Sequence, residues 1–164
     1  TCGLRRDEIA TATWGDLGRQ GGNLILRVHG KGEKLRTVKL PDMVLQAIER
    51  WKPHHPNPAP DRPIFTRIYK GGRVSSEAIT DKAIWLFVIK AAQAAGLPRI
   101  TPHDLRRSFA RGAYEAGVSF ELIRQSLGHS NIATTERYVN SVLELDRAAT
   151  DIWAGTLSDE EDKA

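Results

Sequence analysis

Two consecutive segments, TPHDLRRSFARGAYEAG (residues 101–117) and SFELIRQSLG (residues 119–128), leave the chain little conformational freedom. Thr101 can cap a helix whose first turn holds Pro102, where the missing N–H removes no helical bond, and Gly117 ends it. The second segment stops the same way at Gly128. LGHSNIATTERYVN follows, in which Ser130 or Asn131 begins a short helix carrying Tyr138, nine residues after His129. That element is short, so the tyrosine is expected to swing on a weakly anchored arm.

The rest of the chain extends this helical reading. Arg5 to Thr13 reads as a short helix, with Leu4, Ile9 and Ala12 on one face. NLILRVHG and EKLRTVKL flank Gly30-Lys31-Gly32. Leu24, Leu26 and Val28 alternate with period two, so this is a hairpin with a lysine at or near its tip. A helix opened by Pro41 carries Val44, Leu45, Ile48 and Trp51. KPHHPNPAPDRP reads as a stiff surface loop, because its prolines cannot join a ladder. A longer helix is predicted from about Ser76 to Ala95, and a last amphipathic helix from about Val142 to Trp153. The expected class is α+β: mainly helical with one small antiparallel sheet.

At 164 residues the chain suits one domain, residues 1–157, followed by an acidic tail, residues 158–164, that is expected to be disordered. A single Cys2 excludes an internal disulfide and a cysteine-based zinc cluster, which suits a reducing compartment and predicts a cytoplasmic protein. No apolar run has the length of a membrane span, and no signal peptide is visible. The net charge of +4 understates the basic body: the last seven residues hold four acids and one lysine, leaving 23 basic against 16 acidic residues elsewhere. A basic body favours a polyanionic partner such as nucleic acid.

His103 and Arg106 are three apart on a helix and share a face, whereas Arg107 points elsewhere. Taken singly, the polar residues have ordinary readings. Arg5 can form an exposed pair with nearby acids, Lys31 can be a solubilising turn lysine, His129 a polar cap and Tyr138 a core aromatic. Together they form a complete chemical set. A phenol with a free pKa near 10 is a poor nucleophile unless its deprotonation or the developing charge is stabilised. Attack on a phosphodiester places charge on oxygens that arginine forks fit, and a lysine or histidine can move the protons. No carboxylate cluster has metal-site spacing, and no metal is expected.

In order, CGLRRDEIA, VHGKGEKLRTVKL, TPHDLRRSFA and LGHSNIATTERY resemble the catalytic domain of tyrosine site-specific recombinases, the phage integrase family. The resemblance runs from Gly3 to about Tyr138. It implies a tyrosine-recombinase catalytic-domain fold and a DNA strand transferase working through a 3′-phosphotyrosyl link, with no cofactor. It makes Arg5 and Arg106 the clamp on the scissile phosphate, Lys31 the general acid for the 5′-hydroxyl, and His103 a phosphate contact that also moves protons. His129 becomes a second phosphate contact and Tyr138 the nucleophile. Glu8 falls at a position that supports the fold beside the first arginine. Implied partners are double-stranded DNA and other copies, in a tetramer joined through the C-terminal segment, with no membrane and no small-molecule substrate.

Such recombinases carry an N-terminal helical domain that closes around DNA. It has no counterpart here, and Thr1-Cys2-Gly3-Leu4 reads as the end of an element, so sequence belonging to the fold is expected upstream. The fragment alone is expected to bind DNA weakly and not to recombine. As an exposed phosphate ligand, Arg106 is expected to matter for cleavage and little for folding. The alternatives are a non-catalytic DNA-binding module of the same fold and a type IB topoisomerase-like relaxing enzyme. The compact size and the order of motifs argue against the latter.

Overall fold

The computed structural model describes residues 2–30, 35–97 and 100–139. Lys31 and the hairpin tip, the helix expected over 142–153, and the acidic tail lie outside the described residues. Among those described, no helix is long and apolar enough to cross a membrane.

Helix α1 (Arg6–Thr11) leads through a short 3-10 turn to the antiparallel strands β1 (Leu17–Gln20), β2 (Asn23–His29) and β3 (Leu35–Lys39). The expected hairpin is β2–β3. Leu26 faces Val38 across it, and Val28 faces Arg36. β1 pairs along the other edge of β2, Leu17 opposite Leu26, and its four residues are too short and polar to show an alternating pattern. Leu26, Val28, Val38 and Leu40 form a core with Ala12, Ile64 and Ile48, the last on helix α2 (Asp42–Trp51).

The proline-rich loop after α2 is not wholly at the surface. His55 is buried, its ring edge-on to Trp14 and Trp51. Its Nε2 lies 2.9 Å from the Pro63 carbonyl, and its Nδ1 accepts from the Asn57 N–H. A neutral imidazole with one donor and one acceptor thereby ties a segment that has few backbone donors of its own.

Strands β4 (Thr66–Ile68) and β5 (Val74–Ala78) form a second small antiparallel sheet. The helix predicted from Ser76 starts later: α3 spans Asp81–Ala94. Residues 74–78 pair with β4 instead, and Ile79 donates to the Phe65 carbonyl. Thr80 then caps α3 by accepting from the Ala83 N–H at 3.1 Å. The helix itself was legible; the neighbouring hairpin, whose turn is closed by the Gly72 N–H donating to the Tyr69 carbonyl, was not.

Helices α4 (Pro102–Glu115), α5 (Phe120–Leu127) and α6 (Ile132–Val139) pack around a second core of Ala110, Ile123, Leu127 and Val139. α6 is firmly seated, not a loose arm, with Thr135 and Val139 both buried. Backbone geometry joins the N-terminal segment to this core. Gly3 has φ +61°, and a Cβ there would come within 2.6 Å of Phe109 and 2.8 Å of Leu127, so only glycine lets the chain pass this close.

Candidate active site

Helix α4 begins with a reciprocal cap. Thr101 Oγ1 donates to Asp104 Oδ2 at 2.6 Å, and the Thr101 N–H donates to the same oxygen at 2.9 Å. This fixes the first turn, where His103 is exposed, and sets Arg106 one turn on. Arg106 is not the exposed side chain expected from its sequence context. It is 5% exposed and its fork bridges two carbonyls, Nη1 to Gly3 and Nη2 to Leu127. The arginine therefore joins the N-terminal segment to the end of α5. Burial, with Arg5 close by, pulls its pKa down to about 10, so it stays cationic at neutral pH.

Arg5 precedes α1. Its N–H donates to Glu8 Oε2 at 2.7 Å, its Nη1 to Glu8 Oε1 at 2.8 Å and its Nη2 to the Gly128 carbonyl at 3.2 Å. The pair with Glu8 has the expected spacing, yet it is not a surface pair, because Glu8 is buried. Arg36 of β3 completes the carboxylate's shell, donating from Nη1 and Nη2 at 2.8 Å each. Burial alone would raise the pKa of Glu8; the hydrogen bonds from Arg36 and Arg5 outweigh it and hold the group at about 2.

Tyr138 projects from α6 between two imidazoles. Its ring is edge-on to His103 at 5.1 Å and to His129 at 4.9 Å, and its hydroxyl lies 3.4 Å from His103 Nδ1. His129 follows Gly128, whose φ of +64° ends α5 in the left-handed region. It is buried, with Nδ1 3.0 Å from the hydroxyl of fully buried Thr135. Burial lowers its pKa to about 4, helped by Arg106, Arg5 and Arg36, so it is neutral at neutral pH.

Arg5, His103, Arg106 and Tyr138 line one cleft of about 400 Å³, together with Leu4, Pro102 and Asp81. His129 lines an adjoining cleft of about 770 Å³ that also contains Arg5, Arg36 and Gly128. Five of the six residues singled out in the sequence are thus brought together; the sixth, Lys31, lies outside the described residues. Sequence reading passed over Arg36 and Thr135. Arg36 left a signal: it shares the phase of Val38 and Leu40, putting a charge on the inward face of a strand. Among the described residues, no group of three or more His, Cys, Asp or Glu is arranged to hold a metal ion.

The model of the phage integrase family matches residues 1–144. The chain belongs to the phage integrase family. Among its relatives, the tyrosine recombinase XerA of Pyrococcus furiosus is 31% identical over 136 residues, 83% of this chain and 45% of the relative. The tyrosine recombinase XerC of Pseudomonas aeruginosa is 35% identical over 141 residues, 84% of this chain and 43% of the relative. The chain thus spans less than half the length of these family members. Among solved structures, XerH site-specific recombinase bound to palindromic difH substrate, a post-cleavage complex, superposes with a TM-score of 0.76 at 24% identity, over 93% of this chain and 42% of that one. XerA recombinase gives 0.69 at 21% identity, over 96% and 54%. The family fold is the mainly helical α+β arrangement expected from the sequence.

The buried ionisable groups predict a two-stage acid response. His129 has its pKa lowered from 6.5 to about 4, so between these values the unfolded chain binds more protons and stability falls as pH drops. The full effect is roughly 3 kcal/mol. Glu8, lowered from 4.5 to about 2, contributes stability that is complete above 4.5 and lost towards 2. The melting temperature should therefore decline from about pH 6.5 and steepen below about 4.5. Replacing His129 with Gln should flatten the first limb only. A melting temperature constant from pH 7 to 4 would contradict this account of His129.

Proposed function

We propose that the chain is the DNA-cleaving domain, residues 1–157, of a site-specific recombinase that breaks and rejoins strands through a 3′-phosphotyrosyl intermediate. The observation that carries this reading is the single cleft lined by Arg5, His103, Arg106 and Tyr138. A phosphodiester in it meets two guanidiniums on one side and a phenol on the other. The kinship with tyrosine recombinases supports the same chemistry.

Tyr138 Oη attacks phosphorus; the Oη–P bond forms as the bond to the 5′-oxygen breaks. The phenolic proton passes to His103, whose Nδ1 faces the hydroxyl. Lys31 protonates the departing 5′-oxygen. Arg5 and Arg106 hold the non-bridging oxygens as charge grows on them. Arg106 spends two of a guanidinium's five donors on backbone carbonyls, which leaves donors for phosphate. His129 acts as a neutral donor to the phosphate through Nε2, in the tautomer whose Nδ1 accepts from the Thr135 hydroxyl. A 5′-hydroxyl of another strand reverses the attack, so the bond energy is conserved and no cofactor is needed. The acting assembly is a tetramer on double-stranded DNA, joined through the C-terminal segment of each copy, in the cytoplasm.

The test is covalent capture. The chain is incubated with a randomised pool of nicked duplexes, so that a cleaved 5′-hydroxyl fragment diffuses away, and is then denatured in detergent. An adduct is expected with the natural chain and none with Tyr138→Phe. DNA retarded without an adduct would support the non-catalytic binding module. Adducts without sequence preference, with relaxation of supercoiled plasmid, would support a topoisomerase-like enzyme.

A further inference from the structure

Arg36 is 13% exposed at its side chain and lies on the inward face of β3, opposite Val28. A cation on an apolar face needs a reason to be there. Its fork holds both oxygens of Glu8, and its Nε donates to the Ser126 carbonyl at 3.1 Å. The guanidinium also fills the space beside Gly128: a Cβ on that residue would lie 2.9 Å from Arg36 Nη1 and 3.0 Å from its Cδ. The contacts close a ring. Arg36 holds Glu8, Glu8 holds Arg5, Arg5 reaches the Gly128 carbonyl, and Arg36 returns to the end of α5 two residues earlier.

We propose that Arg36 is a positioning residue for the cleavage reaction, a strut that sets Arg5 and the turn bearing His129 at a fixed separation across the phosphate site. It acts through Glu8 and the α5 terminus. The same strut ties β3 to the arginine clamp. A lysine would keep the charge and lose the planar fork that grips both oxygens of Glu8 while reaching Ser126. A merely structural ion pair would tolerate that change if the fold survived; a positioning role would not.

The proposal rests on the recombinase reading, and its test separates the two. The natural chain, Arg36→Lys, Glu8→Gln and their combination are compared by thermal melting, by side-chain NMR of the Arg5 Nε–H, and by single-turnover cleavage of a captured duplex at saturating protein. In Arg36→Lys, with melting little changed, Arg5 should become more mobile and cleavage should slow at least about tenfold. DNA affinity should change by less than about twofold, and adding Glu8→Gln should slow cleavage no further, as expected of residues acting as one unit. An Arg5 as ordered as in the natural chain, normal cleavage, or losses that multiply would overturn the proposal. If the natural chain forms no adduct, the recombinase reading fails while the NMR comparison still decides whether Arg36 holds Arg5. If Arg36→Lys does not fold, Glu8→Gln with Arg36→Met, which leaves no buried cation at position 36, carries the same readouts: Arg5 held in place and cleavage at the natural rate would sink the strut.

Discussion

Arg106→Ala should lower both stability and cleavage, where the sequence alone led us to expect an effect on cleavage only. Two terms oppose each other in the folding balance. Burial and the neighbouring Arg5 disfavour the cation, and truncation relieves that cost. Truncation also strands the carbonyls of Gly3 and Leu127 and empties the space that the buried side chain fills. Each buried acceptor without a partner costs about 1–3 kcal/mol, and the cavity adds to it. The second term wins, by roughly 2 kcal/mol, or about 4–8 °C in melting temperature for a chain of this size. Cleavage should fall by at least about 10²–10³-fold, as when one preorganised donor is removed from a developing oxyanion. Melting curves and single-turnover cleavage measure the two effects separately. An unchanged melting temperature would show that the carbonyl bridge contributes nothing, and normal cleavage would remove Arg106 from the site.

Glu8→Ala should be among the most destabilising single changes in the described structure. The carboxylate accepts from the Arg5 N–H, from Arg5 Nη1 and from both arms of Arg36. Removing it leaves the mostly buried Arg36 guanidinium without its counter-charge, a situation that costs about 3–5 kcal/mol. The melting temperature should drop on the order of 10 °C. Replacing Arg36 with Met in the same chain should restore much of the loss, because the mostly buried cation left without a partner is then gone. Failure of that rescue would mean that Glu8 stabilises through Arg5 and the start of α1 rather than through its partner in β3.

The contrast between these residues shows what could be read along the chain. Thr101, Pro102 and Gly117 announced α4, and Gly128 announced the end of α5, because capping and helix termination are settled by a few neighbouring residues. The alternation of Leu24, Leu26 and Val28 announced β2 for the same reason. Residues 76–78 at the end of β5 were read as helix because pairing with β4 outweighed local preference there. His55 passed for a surface residue because its burial depends on Trp14, far from it in the chain, as well as on nearby Trp51.

The sequence by itself determined which groups the chain offers, the helices on which several of them stand, and, through the order of its motifs, its family. Tertiary structure alone decided how those groups are held. Arg106 and Arg5 each reach a carbonyl more than a hundred residues away, and Glu8 meets Arg36 across 28. Burial, pKa and hydrogen-bond partners follow from distances between segments, and local sequence rules do not contain those distances.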